Sequence, residues 1–240
     1  LAGYRAVLEA AHEFGRVFPL MMTAAGTAPP AKVFIMGAGV AGLQAIATAR
    51  RLGAQVSATD VRAASREQVE SLGATFVMVE SEETKAAETA GGYAKEMSDE
   101  YKQKQAALIA ETIKKNDVVI TTALIPGKKA PVLVTEEMVK SMKPGSVIVD
   151  MAVEQGGNCT LSKMGETVDV NGVKIIGHIN LPSRVAADSS SFYARNLLNF
   201  MTPLIDKESR ALKINWEDEI IKAATLTRDG AVVHPNFQGA

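Results

Sequence analysis

A single cysteine, Cys159, stands among the 240 residues of the chain. That excludes an intrachain disulfide framework and any metal site built on several thiolates, and it accords with a reducing compartment. Net charge is nearly absent too. Twenty-six lysines and arginines face 27 aspartates and glutamates, a formal charge of −1. Without a basic excess, nothing points to nucleic acid or to an anionic lipid surface. No uninterrupted apolar run approaches the length of a membrane span. No signal peptide is visible, but the chain opens at Leu1 inside "LAGYRAVLEAAHEFGRVF", which reads as the middle of a helix. The sequence is expected to be a fragment of a longer protein, so a missing leader carries little weight. Histidine is scarce, with three in the chain. What is present is an ordinary globular composition, 47% hydrophobic and 22% charged. The length suits one large domain, or one domain plus part of another.

Along the chain, strand and helix signals alternate. Residues 2–18 are Ala-rich with apolar Val7, Leu8 and Phe14, which predicts a helix. "GTAPPA" (Gly26–Ala31) breaks the chain. The strands "KVFIM", "AQVSATD", "TFVMV", "DVVITTA" and "SVIVDMA" follow, separated by helices over 41–52, over "SREQVESLG", around 98–115 and over "TEEMVKSMKPG". Ser65 is expected to cap the second of these and Thr135 the last, with Gly73 just past the end of the second. "VDVNGVKIIGH" reads as a hairpin through Asn171-Gly172, or as a turn leading into one more core strand. The pattern implies an α/β fold, a Rossmann-type doubly wound parallel sheet with helices on both faces. The continuously apolar strands support burial on both sides. Expected boundaries are a connecting helix at 1–21, the sheet domain at 22–181, and a tail at 182–240. The tail carries a helix to about Leu204 and a hairpin, "IIKAATLTRDGAVV", turning at Asp229-Gly230. The polar stretch 80–97, "ESEETKAAETAGGYAKEM", has no clear period and is unusually long for a loop, as a lid would be.

Gly37, Gly39 and Gly42 form G-x-G-x-x-G between a predicted strand and a predicted helix, the context that gives the pattern meaning. Gly37 permits the tight turn, Gly39 lets backbone approach a pyrophosphate, and Gly42 lets helix and strand pack closely. The helix N-terminus then offers N–H groups and partial positive charge to phosphate. Asp60 ends the second strand, where a carboxylate accepts hydrogen bonds from the adenosine ribose and repels a 2′-phosphate, favouring NAD over NADP. Arg62, two residues on, pulls the other way, since it can neutralise a 2′-phosphate. "TTALIPGKKAP" (Thr121–Pro131) follows the fourth strand and either lines the nucleotide crevice or is a surface loop shaped by Pro126-Gly127.

An alcohol or amine dehydrogenase needs a group that moves a proton. His12, His178 and His234 are scattered and are read as structural or solvated. Asp150 and Glu154 fall beyond the fifth strand, which makes "VEQGGN" the best local candidate for contact with a nicotinamide ring. A lone carboxylate there is more often a hydrogen-bond anchor than a base. Cys159 has no apparent histidine partner and reads as a packed, inert thiol. No catalytic residue and no metal ligand is assigned.

Several stretches together resemble the NAD(H)-binding component, or alpha subunit, of proton-translocating NAD(P) transhydrogenase. They are "AGYRAVLEAAHEFGR", "GAGVAGLQAIATARRLGA", "ATDVR", "AETAGGYAKEMS", "TTALIPGKKAPVLVTEEMVKSMKPGSVIVDMAVEQGGN" and "DGAVVHP". The likeness runs through nearly the whole chain, and alanine dehydrogenase is the nearest related family. Glu154 stands where the dehydrogenase would carry the Asp of a D-Q-G-G pattern. The resemblance implies NAD held in a cleft between two subdomains, with contacts from Val40, Asp60, Val61, Arg62, Gly92, Gln105 and Leu124. It implies a mobile loop over "AGGYAKEM" with Tyr93 at its tip. It further implies a homodimer on the soluble face of a membrane complex (cytoplasmic in bacteria, matrix in mitochondria), working with an NADP(H)-binding component and a membrane-spanning component. The family carries an N-terminal subdomain ahead of this sequence, on which the tail is expected to pack. Two other functions fit the residues: an alanine-type amino-acid dehydrogenase, and a non-catalytic NAD-sensing module.

Overall fold

A computed structural model of the chain describes residues 1–80, 98–124 and 128–237. Four aliphatic runs build the centre of its sheet: Lys32–Met36 (β3), Gln55–Thr59 (β4), Val118–Thr121 (β6) and Val147–Asp150 (β7). Because side chains alternate across a strand, neighbouring residues enter opposite cores. Val33, Ile35, Ile120 and Val149 pack on one face with Ala2–Glu13 (α1) and Val40–Arg51 (α2). Phe34, Val119 and Ile148 pack on the other with Asp99–Lys115 (α4) and Glu136–Ser141 (α5). Burial on both faces is why these strands read as unbroken apolar runs rather than as an alternation.

The full sheet has seven strands in the order β5-β4-β3-β6-β7-β9-β8, with β5 at Thr75–Phe76, β8 at Thr167–Val170 and β9 at Val173–Ile176. Every pair is parallel except β8 with β9. The chain starts at β3, moves outward through β4 to β5, then returns to the other side of β3 at β6. The reversal between β3 and β6 is the switch point at which a doubly wound sheet opens a crevice at its carboxyl edge. The sheet therefore has the Rossmann-type order expected. Both readings of 168–178 hold together: Asn171 and Gly172 turn at φ 54° and 81°, and the outgoing strand β9 joins the core beside β7.

Several boundaries differ from expectation. The first helix ends at Glu13, not near residue 18. Phe14 turns extended, and it and Phe18 fold into the core edge-to-face with ring centroids 6.0 Å apart, which the helical path would have pointed apart. Met21–Thr23 (β1) and Gly26–Ala28 (β2) pair as a small hairpin where only a break was expected. Ser65 is the first residue of the helix Ser65–Ser71 (α3) rather than its cap, and it is buried. The third strand shrinks to two residues because the N–H of Val79 is taken by Gln105 Oε1 at 2.8 Å instead of by the ladder.

By contact the chain divides into Leu1–Val185 and Ala186–Ala240. The second unit opens with the helix Ala186–Met201 (α6) and a 3₁₀ turn to Leu204. Its expected hairpin is shorter than read. Asp218 accepts hydrogen bonds from the N–H groups of Ile220 and Ile221, and this cap makes Glu219–Ala224 a helix (α7). Only Thr227–Arg228 (β10) and Ala231–Val232 (β11) pair, around Asp229 and Gly230 at φ 51° and 79°.

Candidate nucleotide site

The three glycines sit at the carboxyl edge of β3, each in a distinct situation. Gly37 adopts φ 109°, and a Cβ there would meet Thr122 Oγ1 at 2.5 Å. A Cβ on Gly42 would overlap the carbonyl oxygen of Gly37, so only glycine lets α2 start so close to the turn. A Cβ on Gly39 would meet no protein atom within 4 Å. The constraint at Gly39 is therefore not internal packing, and the open space in front of it suits a ligand. Gly39 is also the N-cap of α2 and brings no side chain to the first turn, whose N–H groups face outward with the positive end of the helix dipole.

Asp60 follows β4 on the same edge. Its Oδ2 accepts from the N–H of Ala38, inside the glycine turn, at 2.7 Å. Oδ1 accepts from the N–H of Arg62 at 2.9 Å, and the Arg62 guanidinium spans both oxygens at 3.0 and 3.2 Å. Burial would push this carboxyl up. The hydrogen bonds from Arg62 and Ala38, with the Arg62 charge, outweigh it and hold the group below the usual carboxylate range. In return Arg62 is held above its ordinary value. The acid thus pins the glycine turn and engages Arg62, while the Arg62 side chain remains 48% exposed and able to swing away.

The other expected contacts rim the same edge. Val40, Val61 and Leu124, after β3, β4 and β6 respectively, are exposed apolar side chains. Gln105, on α4, donates to Thr59 Oγ1 at 3.3 Å as well as accepting from Val79. The loop after β6 abuts the glycine turn, with Thr122 Oγ1 donating to the carbonyl of Gly37 at 3.1 Å. Gly92, Tyr93 and the lid reading of 80–97 lie outside the described residues beyond Glu80, as do Pro126 and Gly127.

Beyond β7 the carboxylates part company. Asp150 is fully buried and serves as an anchor. It accepts from the N–H groups of Ala152, Asn158 and Cys159 at 3.0–3.1 Å and from the Ser162 hydroxyl at 2.5 Å. Glu154 is exposed, with Oε2 accepting from the N–H of Asn180 at 3.2 Å. It shares an open cleft of about 360 Å³ with Met151, His178 and Asn180. Cys159 is buried, and burial together with the nearby Asp150 charge pushes its thiol up to about 11.

His12 lies exposed on α1, and His234 lies against Phe237 with centroids 5.3 Å apart. His178 is less isolated than its sequence position suggests. Its Nδ1 lies 3.3 Å from Glu9 Oε2, and the other Glu9 oxygen takes Arg5 at 2.6 Å and Arg184 at 3.1 Å. Glu9 is buried, which would raise its carboxyl, but the two arginines and His178 hold it low. This hub joins α1 to the end of β9, and nothing in the spacing of Glu9, His178 and Arg184 announces it. Among the described residues no helix is long and apolar enough to cross a membrane.

Comparison with known proteins gives a consistent picture. Residues 6–235 match the family described as "Alanine dehydrogenase/PNT, C-terminal domain". The NAD(P) transhydrogenase subunit alpha chain of Rhodospirillum rubrum is 63% identical over 239 residues, covering 100% of this chain and 62% of that protein. The alanine dehydrogenase of Methanococcus maripaludis is 33% identical over 183 residues, covering 74% of this chain and 43% of that one. The solved structure of the transhydrogenase from Sinorhizobium meliloti superposes with a TM-score of 0.84 at 57% identity, covering 97% of this chain and 61% of that one. The chain thus spans about three-fifths of the length of these two transhydrogenase relatives. With a glycine turn pinned by a strand-end acid on a seven-stranded Rossmann-type sheet, and this likeness end to end, the chain belongs to the alanine dehydrogenase/PNT C-terminal domain family and lies nearer its transhydrogenase alpha subunits than its alanine dehydrogenases.

Proposed function

We propose that this chain is the NAD(H)-holding part of a transhydrogenase, presenting a nicotinamide to NADP(H) bound on a partner component. The observation that carries the reading is the 2.7 Å hydrogen bond from Ala38 N–H to Asp60 Oδ2. It places a ribose-binding carboxylate beside a glycine turn and an open helix N-terminus, as a dinucleotide with a free 2′-hydroxyl requires. Val40, Val61, Arg62, Gln105 and Leu124 would line the nucleotide, with Gly92 and Tyr93 contributed by the stretch outside the described residues. Space in front of Gly39 and the lack of a side chain at the α2 cap support the fit.

The bound nicotinamide would supply or accept a hydride at its C4 carbon. Transfer to a second nicotinamide moves no proton on the acceptor, so the chain's work is binding, orientation and exclusion of water. Asp150 supports this division of labour, because its hydrogen bonds among the described residues go to its own loop or to Thr121. We further propose that the protein is a homodimer at the soluble face of a membrane complex whose other components bind NADP(H) and translocate protons. The exposed Phe192, Tyr193, Leu197 and Leu198 of α6 support packing of the tail on a further subdomain.

The test is single-turnover transfer from NADH to an NADP analogue by the full-length protein mixed with an NADP(H)-binding component. His12→Ala, His178→Ala and His234→Ala should each leave the chemical step within a few-fold, whereas loss of a general base costs about 10²–10⁴-fold. Collapse of that step in a folded variant, or robust alanine turnover with no partner, would favour the amino-acid dehydrogenase. NADH binding without transfer to any acceptor would favour the sensing module.

A further inference from the structure

The stretch "VEQGGN" was expected to meet the reactive ring, yet its asparagine is wholly buried. Asn158 spends its side-chain amide on the loop that follows β6. Its Oδ1 accepts from the N–H of Ala123 at 3.1 Å. Its Nδ2 donates to the carbonyl of the same residue at 2.9 Å and to the carbonyl of Pro131 at 2.8 Å. One amide therefore satisfies both backbone groups of Ala123, as a neighbouring strand would, and joins the outgoing leg of the loop to its returning leg. The returning leg is held independently, since the Asn158 carbonyl accepts from the N–H groups of Leu133 and Val134 at 2.8 and 2.9 Å. The outgoing leg has no ladder to lean on at Ala123, because β6 ends at Thr121.

Asn158 is itself held from below. Its N–H donates to Asp150 Oδ1 at 3.1 Å, and the chain reaches that position only through two left-handed glycines, Gly156 at φ 94° and Gly157 at φ 78°. A Cβ on Gly157 would meet Asp150 Oδ2 and Ser162 Oγ, each at 2.7 Å. Asp150, the paired glycines and Asn158 thus form one device. What it positions is the segment Thr122–Leu124. Thr122 supports the glycine turn through Gly37, and Leu124 projects exposed from the same edge.

We infer that Asn158 is a positioning residue for nucleotide binding: it touches no ligand itself but fixes the wall that β6 contributes to the crevice beside the glycine turn. The inference rests on the cofactor reading above. A side-chain clamp replaces a strand neighbour here because β6 ends where the crevice begins, and an irregular segment needs its buried polar groups satisfied by other means.

The experiment compares Asn158→Ala with Val139→Ala in the full-length protein. Val139 is buried on α5 in the core under the opposite face of the sheet, so its truncation lowers stability without touching the clamp. NADH affinity is measured by titration well below the melting temperature of each variant, and hydrogen exchange is followed over 118–124. Asn158→Ala should weaken NADH about tenfold, the loss expected when contacts worth one ordinary hydrogen bond are displaced. It should also speed exchange at Ala123, while Val139→Ala stays within about twofold in affinity at a comparable loss of melting temperature. NADH binding unchanged by Asn158→Ala, or weakened equally by both variants, would overturn the inference and leave the cofactor reading standing. If Ala123 is protected in the unmutated protein and released by Asn158→Ala, but neither form takes NADH, the cofactor reading fails and the assigned role falls with it.

Discussion

Replacing Asp60 with asparagine changes one atom and one charge, and the structure says what each should cost. The carboxylate has two acceptor oxygens in use: Oδ2 for Ala38 N–H and Oδ1 for Arg62 N–H. An amide has one. Whichever way it turns, a buried or half-buried backbone N–H faces an NH₂ group, a loss of about 1–3 kcal/mol. The guanidinium pairing adds little, because Arg62 is 48% exposed and screened, so about 0.2–1 kcal/mol is the most it should contribute. A destabilisation of about 2 kcal/mol follows, or a melting temperature lower by about 4–8 °C for a domain of this size. Nucleotide choice should shift as well. The unmutated protein should bind NADH more tightly than NADPH. Asp60→Asn should narrow the gap from both sides, weakening the ribose hydrogen bonds and removing repulsion of a 2′-phosphate. Thermal melts followed by far-ultraviolet circular dichroism read the first effect, and parallel titrations of the two nucleotides read the second. Equal affinities in the unmutated protein would refute the role given to the acid. A variant that melts like the parent would refute the claim that Asp60 pins the glycine turn.

Gly42→Ala sets a methyl against the Gly37 carbonyl, so backbone must move, and a loss of about 1–3 kcal/mol is expected together with weaker NADH binding; a variant with the parent's melting curve and affinity would count against the close approach. With its thiol pushed up to about 11, Cys159 should react with a disulfide reagent very slowly in the folded protein and fully in urea, and rapid labelling of the native form would contradict its burial. Asp60 and Glu9 both sit below their ordinary values, so the stability they contribute is complete above their unfolded values of about 3.9 and 4.3 and is lost as pH falls through their lower folded values. Acid titration of the unfolding free energy should therefore decline only below about pH 4, less steeply in Asp60→Asn, and a decline beginning above pH 5 would point to other groups.

Much of this protein is local in origin. The β-branched runs that became β3, β6 and β7, the glycine spacing before α2, the caps at Ser98 and Thr135 and the Asn171-Gly172 turn each follow from residues within a few positions of one another. Backbone propensity and capping act over that range, so the order of elements, the Rossmann-type sheet and the place of Asp60 were legible directly. Where local signals competed, they misled. Ala-rich helical character to residue 18 yielded to the burial of Phe14 and Phe18, and the β-like "IIKAAT" yielded to the Asp218 cap. The side-chain partnerships were decided only by the tertiary structure. Asn158 clamps residues 35 and 27 positions away, and Glu9 meets Arg184 across 175. Those distances collapse because strand order sets β6 beside β7 and β7 beside β9, and pairing across a parallel sheet depends on how the whole chain packs, not on the periodicity of any one segment. Thus the sequence alone named the acid and the glycines, and the sheet alone revealed that a buried asparagine steadies the wall beside them.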